Sequence, residues 1–139
     1  MPAWLRWLAL VPAAAVGWYG SLIVGIGAHS VLMSFCPSDE IISGLCSASW
    51  YPPAEDALIC VFAGIAAALI VTLPTLVAPS RKVTVAFIVL LLGTLVAVVM
   101  GSQIRAFGPM SCAVLSGTLA AMLLRRRYLA LPNPSLDRP

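Results

Sequence analysis

Four long apolar runs, separated by short polar links, constrain this chain more than any other feature of its sequence. They cover about residues 8–35, 57–78, 83–104 and 109–124. A helix needs about 20 apolar residues to cross a hydrocarbon core of about 30 Å, so these runs are close to membrane-spanning length. The longest polar interval, residues 36–56, is too short for a soluble domain, and only 9% of the residues are charged. The sequence therefore predicts an all-α integral membrane protein, a four-helix bundle with short loops and one transmembrane domain over residues 1–139.

The ends of these runs carry the signals that set the predicted lengths of the spans. The first run is longer than a straight span requires, so we expect an uncleaved helix that tilts, protrudes, or bends at Pro12 or among its glycines. The second begins after Pro52 and Pro53, and Pro74 is expected to kink or loosen its last turns. The fourth, with about sixteen residues, is short for a bilayer.

Basic residues cluster at one end of the spans, and most acidic residues lie at the other. Because cytoplasmic loops are enriched in Lys and Arg, both termini and the tail 125–139 are predicted to be cytoplasmic, as in a bacterial inner-membrane protein. The loop 36–56 is then outside. Basic residues confined to span ends favour the lipid bilayer as partner and exclude nucleic acid, which needs a basic face. The cytoplasmic set is Arg6, Arg81, Lys82, Arg125, Arg126, Arg127 and Arg138, and the outer set is Arg105, Asp39, Glu40, Glu55 and Asp56.

All four cysteines, Cys36, Cys46, Cys60 and Cys112, fall in or near the outer interface of this arrangement. An oxidising compartment would permit disulfides there, and four cysteines allow three pairings, among which the sequence does not choose. Cys36 with Cys46 would close a short loop. Cys60 with Cys112 would require the second and fourth spans to touch.

This outline resembles the bacterial inner-membrane quinone reductases that regenerate disulfides. Those proteins also have four helices, both termini inside and four outward cysteines. They carry a closely spaced Cys-x-x-Cys pair and a long second outer loop, whereas nine residues separate Cys36 from Cys46 here and the second outer loop is only a turn. The resemblance covers the topology and no active-site motif.

The outer loop has its own local pattern. Ser38 is expected to cap a single helical turn that starts with Asp39 and Glu40 and ends at Gly44. The apolar residues of this loop, Ile41, Ile42 and Leu45, are expected to lie on the membrane surface or on a partner.

His29 is the one histidine of the chain and lies within the first span, near its outer third. An ionisable side chain in a span is a functional-site hypothesis by default. With no Asp, Glu, Lys or Arg predicted inside the hydrocarbon part of a span, we expect it to lack an acidic partner. It is then a polar anchor that hydrogen-bonds Ser30, a loop carbonyl or water. A metal site would need further ligands, for which only Cys36 and Cys60 are conceivable.

Small residues repeat at helical spacing in three of the four spans. The small-xxx-small spacing lets helix backbones approach closely, which drives association where lipid is as apolar as the side chains. These stripes are interpreted either as seams within the bundle or as contacts with a partner. They comprise Gly17, Ser21 and Gly25 in the first span, Gly64 and Ala68 in the second, and Ala113 and Gly117 in the fourth.

The motifs of common enzymes are missing from the sequence. It contains no nucleophile elbow, phosphate-binding loop or pair of carboxylates within a span, so we assign no catalytic, cofactor-binding or metal-ligating residue and expect no cofactor. The sequence favours a non-enzymatic accessory or interaction subunit that associates with another membrane protein or with itself. The alternatives are a small homo-oligomeric transporter or channel and a membrane thiol-redox protein that forms disulfides.

Overall fold

The computed structural model describes residues 3–103, 105 and 107–130, except for the side chains of Ala3 and Arg6. Residues 131–139 of the predicted tail, with Arg138, lie outside this range. The elements are α1 (Ala3–Leu8), α2 (Leu10–Ser34), a 3-10 turn (Ser38–Glu40), β1 (Ile41–Ile42), β2 (Leu45–Cys46), α3 (Tyr51–Val77), α4 (Lys82–Gln103) and α5 (Phe107–Leu129). Helices α2 to α5 are long and apolar enough to cross a membrane. The prediction of a helical protein with four spans is therefore confirmed by length and composition.

The first predicted span is interrupted at Ala9, between α1 and α2. Pro12 has no N–H to donate to the carbonyl of Leu8, and its ring crowds that carbonyl, so the helix is weakest one turn before the proline. The N–H groups of Ala9 and Ala13 still donate to the carbonyls of Leu5 and Ala9, at 3.0 Å each. The interruption therefore lies where Pro12 acts, and the glycines of α2 remain within a continuous helix.

Helix α3 begins at Tyr51, earlier than the predicted start near Ala57. Pro52 and Pro53 lie in its first turn, where a missing N–H costs no intrahelical hydrogen bond. Glu55, expected at the start of the second span, consequently lies about one turn inside the helix. Near the other end, the buried Pro74 does not terminate the helix, which continues to Val77.

The outer loop forms a β-hairpin rather than the predicted single turn closed by Gly44. Ile41 pairs with Cys46 and Ile42 with Leu45 in an antiparallel register. The two turn residues, Ser43 and Gly44, have positive φ angles of 53° and 81°. Two such residues in succession form the kind of tight turn that matches the twist of a two-residue hairpin. Ser38 lies inside the preceding 3-10 turn, which has no side-chain cap, so the predicted capping role is wrong.

Helix α5 is 23 residues long and does not end at the predicted position near Leu124. It continues through Arg125, Arg126 and Arg127 to Leu129, so the helix extends beyond the predicted end of the span. Arginine is a good helix former, and cations near a helix C-terminus interact favourably with its free carbonyls. The part of the predicted tail up to Leu129 is therefore helical.

Helix α3 is the centre of the arrangement: it packs against α2, α4 and α5, and α4 also packs against α5. Among the described spanning helices, α3 is the one against which α2 packs extensively. We call the end that carries residues 35–50 and the α4–α5 turn the outer end, and the opposite one the inner end. The buried side chains form one cluster at each end, around Val71, Ala86, Ala121 and Leu124 at the inner end and around Cys46, Ala48 and Tyr51 at the outer end.

Candidate functional site: a lateral cleft with a polar outer end

A cleft of about 1000 Å³ lies among α2, α3, α4 and α5. Because α2 does not pack extensively on α4 or α5 in the described part of the chain, we infer that the cleft opens sideways between α2 and α4. Its walls are almost entirely apolar, with Trp18 and Leu22 from α2, Phe62 from α3, Gly93 and Met100 from α4, and Val114 from α5. On α2 it extends from Leu10 to His29. At 1.5 Å per residue this is about 28 Å, close to the thickness of a hydrocarbon core.

A cluster of three polar side chains stands at the outer end of this cleft. His29, which lines the cleft, has its Nε2 atom 3.0 Å from Oε1 of Glu55 and 3.0 Å from the hydroxyl of Tyr51. The expectation that His29 lacks an acidic partner is therefore wrong. The reason is the early start of α3, which places Glu55 one turn after Tyr51 and level with the last turns of α2. We call these three residues the outer polar cluster.

The hydrogen bonds of the outer polar cluster leave acceptor atoms free. An ionised carboxylate only accepts hydrogen bonds, so Nε2–H of His29 donates to Oε1 of Glu55, with the Tyr51 oxygen as a second acceptor. Among the described residues, no hydrogen bond reaches Nδ1 of His29 or Oε2 of Glu55. The side chains of His29 and Glu55 are 43% and 36% exposed, so these atoms are within reach of a bound molecule.

The four cysteines form two disulfides, both in the outer half of the protein. Cys36 pairs with Cys46, which fixes the hairpin to the end of α2, and Cys60 pairs with Cys112, which joins α3 to α5. The structure thus selects one of the three pairings that the sequence allowed. Every cysteine is paired. Within the described ranges no three residues among His, Cys, Asp and Glu are grouped to hold a metal ion.

The small-residue stripe of α2 lies against α3. A Cβ atom added to Gly17 would stand 3.2 Å from the backbone carbon of Leu69, closer than side chains normally come. One turn on, Ser21 is buried, and its hydroxyl donates to the carbonyl of Trp18 at 2.8 Å. Gly25 is less confined, since its added Cβ would be 3.4 Å from the ring of Phe62. This stripe is a seam of the bundle.

The predicted stripes of the second and fourth spans meet each other. The hydroxyl of Ser116 on α5 donates to the carbonyl of Gly64 at 2.8 Å, and an added Cβ at Gly64 would lie 3.4 Å from Ser116. Gly117 is buried beside Leu90 of α4. The remaining two predicted packing residues, Ala68 and Ala113, are half-buried, and Ala113 lines the cleft. Gly64 and Gly117 therefore serve contacts within the chain.

A different face of α2 is left without a neighbouring helix. A Cβ atom added to Gly20 or Gly27 would meet nothing within 4 Å. Val16, Ile23 and Val31 lie on the same side at helical spacing and are 67%, 69% and 59% exposed. We call these five residues the free face of α2. Gly20 and Gly27 share one half of the helix with Gly17, and helical spacing alone does not tell which of these small residues meet α3.

Comparisons with known proteins add no assignment. No protein-family model, no curated protein and no solved structure matches the chain.

Proposed function

We propose that the chain is a non-enzymatic accessory subunit of a larger membrane assembly, and that it binds a transmembrane helix of its partner through the free face of α2. The observation that carries this proposal is the open space beside Gly20 and Gly27 on an edge helix whose extensive packing, among the described spanning helices, is on α3. Small residues at an interface let two helix backbones approach closely enough for extensive van der Waals contact.

The free face has the dimensions that such a contact requires. From Val16 to Val31 it extends about 22 Å along α2 at 1.5 Å per residue, most of the depth of a hydrocarbon core. The exposed side chains of Val16, Ile23 and Val31 stand beside the two glycines and would form the ridges of the contact. The face is opposite the cleft, so a partner helix here would not fill the cleft.

The proposal includes a location in the bacterial inner membrane with both termini in the cytoplasm. It is supported by the charges of the described residues. Arg81, Lys82 and the three arginines of α5 lie at the inner end, whereas Asp39, Glu40, Glu55 and Asp56 lie at the outer end, with Arg105. An excess of positive charge marks the cytoplasmic side.

Site-specific photo-cross-linking in native membranes tests the partner helix. A photoreactive residue at Ile23 should give a discrete adduct, whereas one at Leu95, which is 61% exposed on α4, should give none. Gly27→Leu should remove the Ile23 adduct by filling the close approach. Gly93→Leu is the matched control, because an added Cβ at Gly93 also meets nothing within 4 Å but lies on the cleft side. It should leave the Ile23 adduct intact.

The mass of the adduct separates the remaining possibilities. An adduct with a different membrane protein supports the accessory role. An adduct with a second copy of the chain would overturn it in favour of a homo-oligomer, as the transporter or channel hypothesis requires. Equal, diffuse labelling from Ile23 and Leu95 would mean that lipid covers both faces and would also contradict the proposal.

Thiol-redox activity is a second candidate, favoured by the position of both disulfides in the outer half of the protein. The Cys60→Ser, Cys112→Ser double variant distinguishes it from a structural role. A structural pair should lower the unfolding free energy without changing the rate at which a reduced substrate protein acquires disulfides in the same membranes. Loss of that oxidation in the double variant, with oxidation retained in Gly17→Leu, a variant expected to be destabilised without loss of a cysteine, would support the redox role.

A further inference from the structure

We propose that the lateral cleft binds a long-chain amphiphile whose head group carries a primary ammonium, with the chain between α2 and α4 and the ammonium on the outer polar cluster. The site is separate from the free face of α2, so it does not depend on a partner helix.

The distribution of polarity along the cleft fits an amphiphile. Over about 28 Å of α2, nearly all lining side chains are apolar. The ionisable residue among them is His29, which lies at one end of the cleft. Ser21, which also lines the cleft, uses its hydroxyl within α2. A volume of about 1000 Å³ is at the upper limit of small-molecule pockets and suits a chain-shaped ligand.

The free atoms of the outer polar cluster decide which head group fits. Nδ1 of His29, in the tautomer that donates from Nε2, and Oε2 of Glu55 are both acceptors. The ligand must therefore donate hydrogen bonds, which a hydroxyl or an ammonium does and a carboxylate does not. Hydrogen bonds between a carboxylate and an ammonium are also about twice as strong as those between neutral groups.

Charge complementarity selects the ammonium over the hydroxyl. Glu55 has no Lys or Arg in ion-pair distance among the described residues; its recorded partner is His29. The described acids Asp39, Glu40 and Asp56 lie at the same end, and of the described cations only Arg105 does. A cationic head group would balance the carboxylate at the edge of the bilayer, where an uncompensated charge is costly.

Fluorescence quenching of Trp18 by brominated chains measures occupancy of the cleft directly. Trp18 lines the cleft about 16 Å inward of His29, at the depth of the distal half of a stearyl chain whose head is on the outer polar cluster. Trp4, Trp7 and Trp50 are replaced by Phe, and the protein is placed in phosphatidylcholine nanodiscs, whose quaternary head groups cannot donate hydrogen bonds. The probes are dibrominated stearyl amine, stearyl alcohol and stearic acid, which share one chain.

We expect the amine to bind about tenfold or more tightly than the acid, with the alcohol between them. Glu55→Gln should remove this preference to within about twofold. Asp56→Asn, the matched control, deletes the same charge at the next, exposed residue and should preserve the preference. Gly93→Leu should abolish quenching by all three probes by filling the cleft, and Gly27→Leu, on the free face, should not.

A second cleft-filling variant, Ala97→Leu, covers the case in which Gly93→Leu does not fold. The proposal is overturned if the amine and the acid bind equally, if Asp56→Asn acts like Glu55→Gln, or if quenching persists in folded cleft-filling variants. The last result would place the probes at the general lipid surface of the protein.

Discussion

Two glycines of α2 that are three residues apart have opposite surroundings. Gly17 is buried against the backbone of α3, where an added Cβ would be 3.2 Å from a carbon of Leu69 that can move only with its helix. Gly20 faces open space. The neighbouring sequence does not indicate which of the two glycines is buried, because their difference arises from the packing of α2 on α3.

Gly17→Leu should therefore lower the unfolding free energy by about 1–3 kcal/mol, the usual cost of forcing a larger side chain into a packed contact. Gly20→Leu should be neutral or slightly stabilising, because a helix gains up to about 1 kcal/mol when leucine replaces an exposed glycine. Titration with denaturing detergent in mixed micelles measures both. Equal losses in the two variants would contradict the α2–α3 seam.

The pairing of His29 with Glu55 shows what a sequence leaves undetermined at this scale. The two residues are 26 positions apart, so their contact depends on where α3 begins. Pro52 and Pro53 predict a span that begins after them, although prolines are tolerated in a first helical turn. Moving that boundary to Tyr51 brings Glu55 beside the outer end of α2 and creates the outer polar cluster.

At the scale of elements, one disulfide constrains the outer loop and the other constrains a pair of helices. Cys36–Cys46 closes a local loop and holds the hairpin on the end of α2, whereas Cys60–Cys112 joins two of the spanning helices. The sequence permitted both pairs but did not select them, because the choice depends on which helices are neighbours. The hairpin was missed for a simpler reason: the Ser43–Gly44 dipeptide is a turn signal, and it was interpreted as the end of a helical turn.

Loss of the disulfide between α3 and α5 should destabilise the protein more than loss of the loop disulfide. On the chain-entropy estimate, the separation of 52 residues corresponds to about 4 kcal/mol, and the separation of 10 residues to about 3 kcal/mol. The variants are the two double Cys→Ser proteins, compared by the same detergent titration. A larger loss from Cys36→Ser, Cys46→Ser would contradict this order and place the main outer constraint on the hairpin.

At the scale of the whole molecule, the number of spans follows from hydropathy, but the shape does not. Each helix is apolar around most of its circumference, so the pattern of apolar residues does not indicate which helices are its neighbours. The small-residue spacing indicated close packing without saying whether the partner is α3, α5 or another chain. The cleft exists because, among the described spanning helices, α2 packs extensively on α3 and not on α4 or α5. This is a property of the assembled helices, and no single segment of the sequence shows it.

The orientation of the whole molecule is the last property that the charges predict. Because all four cysteines are paired, an added cysteine is the one reactive thiol of a variant. Ser49→Cys, before α3, and Ser80→Cys, between α3 and α4, place that thiol on exposed residues at opposite ends of α3. In intact cells, a membrane-impermeant maleimide should label Ser49→Cys, and should label Ser80→Cys only after permeabilisation, since the positive charges of Arg81 and Lys82 favour the cytoplasmic side for that link. The reverse labelling pattern would mean that the protein has the opposite orientation in the membrane. The outer polar cluster would then face the anionic cytoplasmic leaflet rather than the outside.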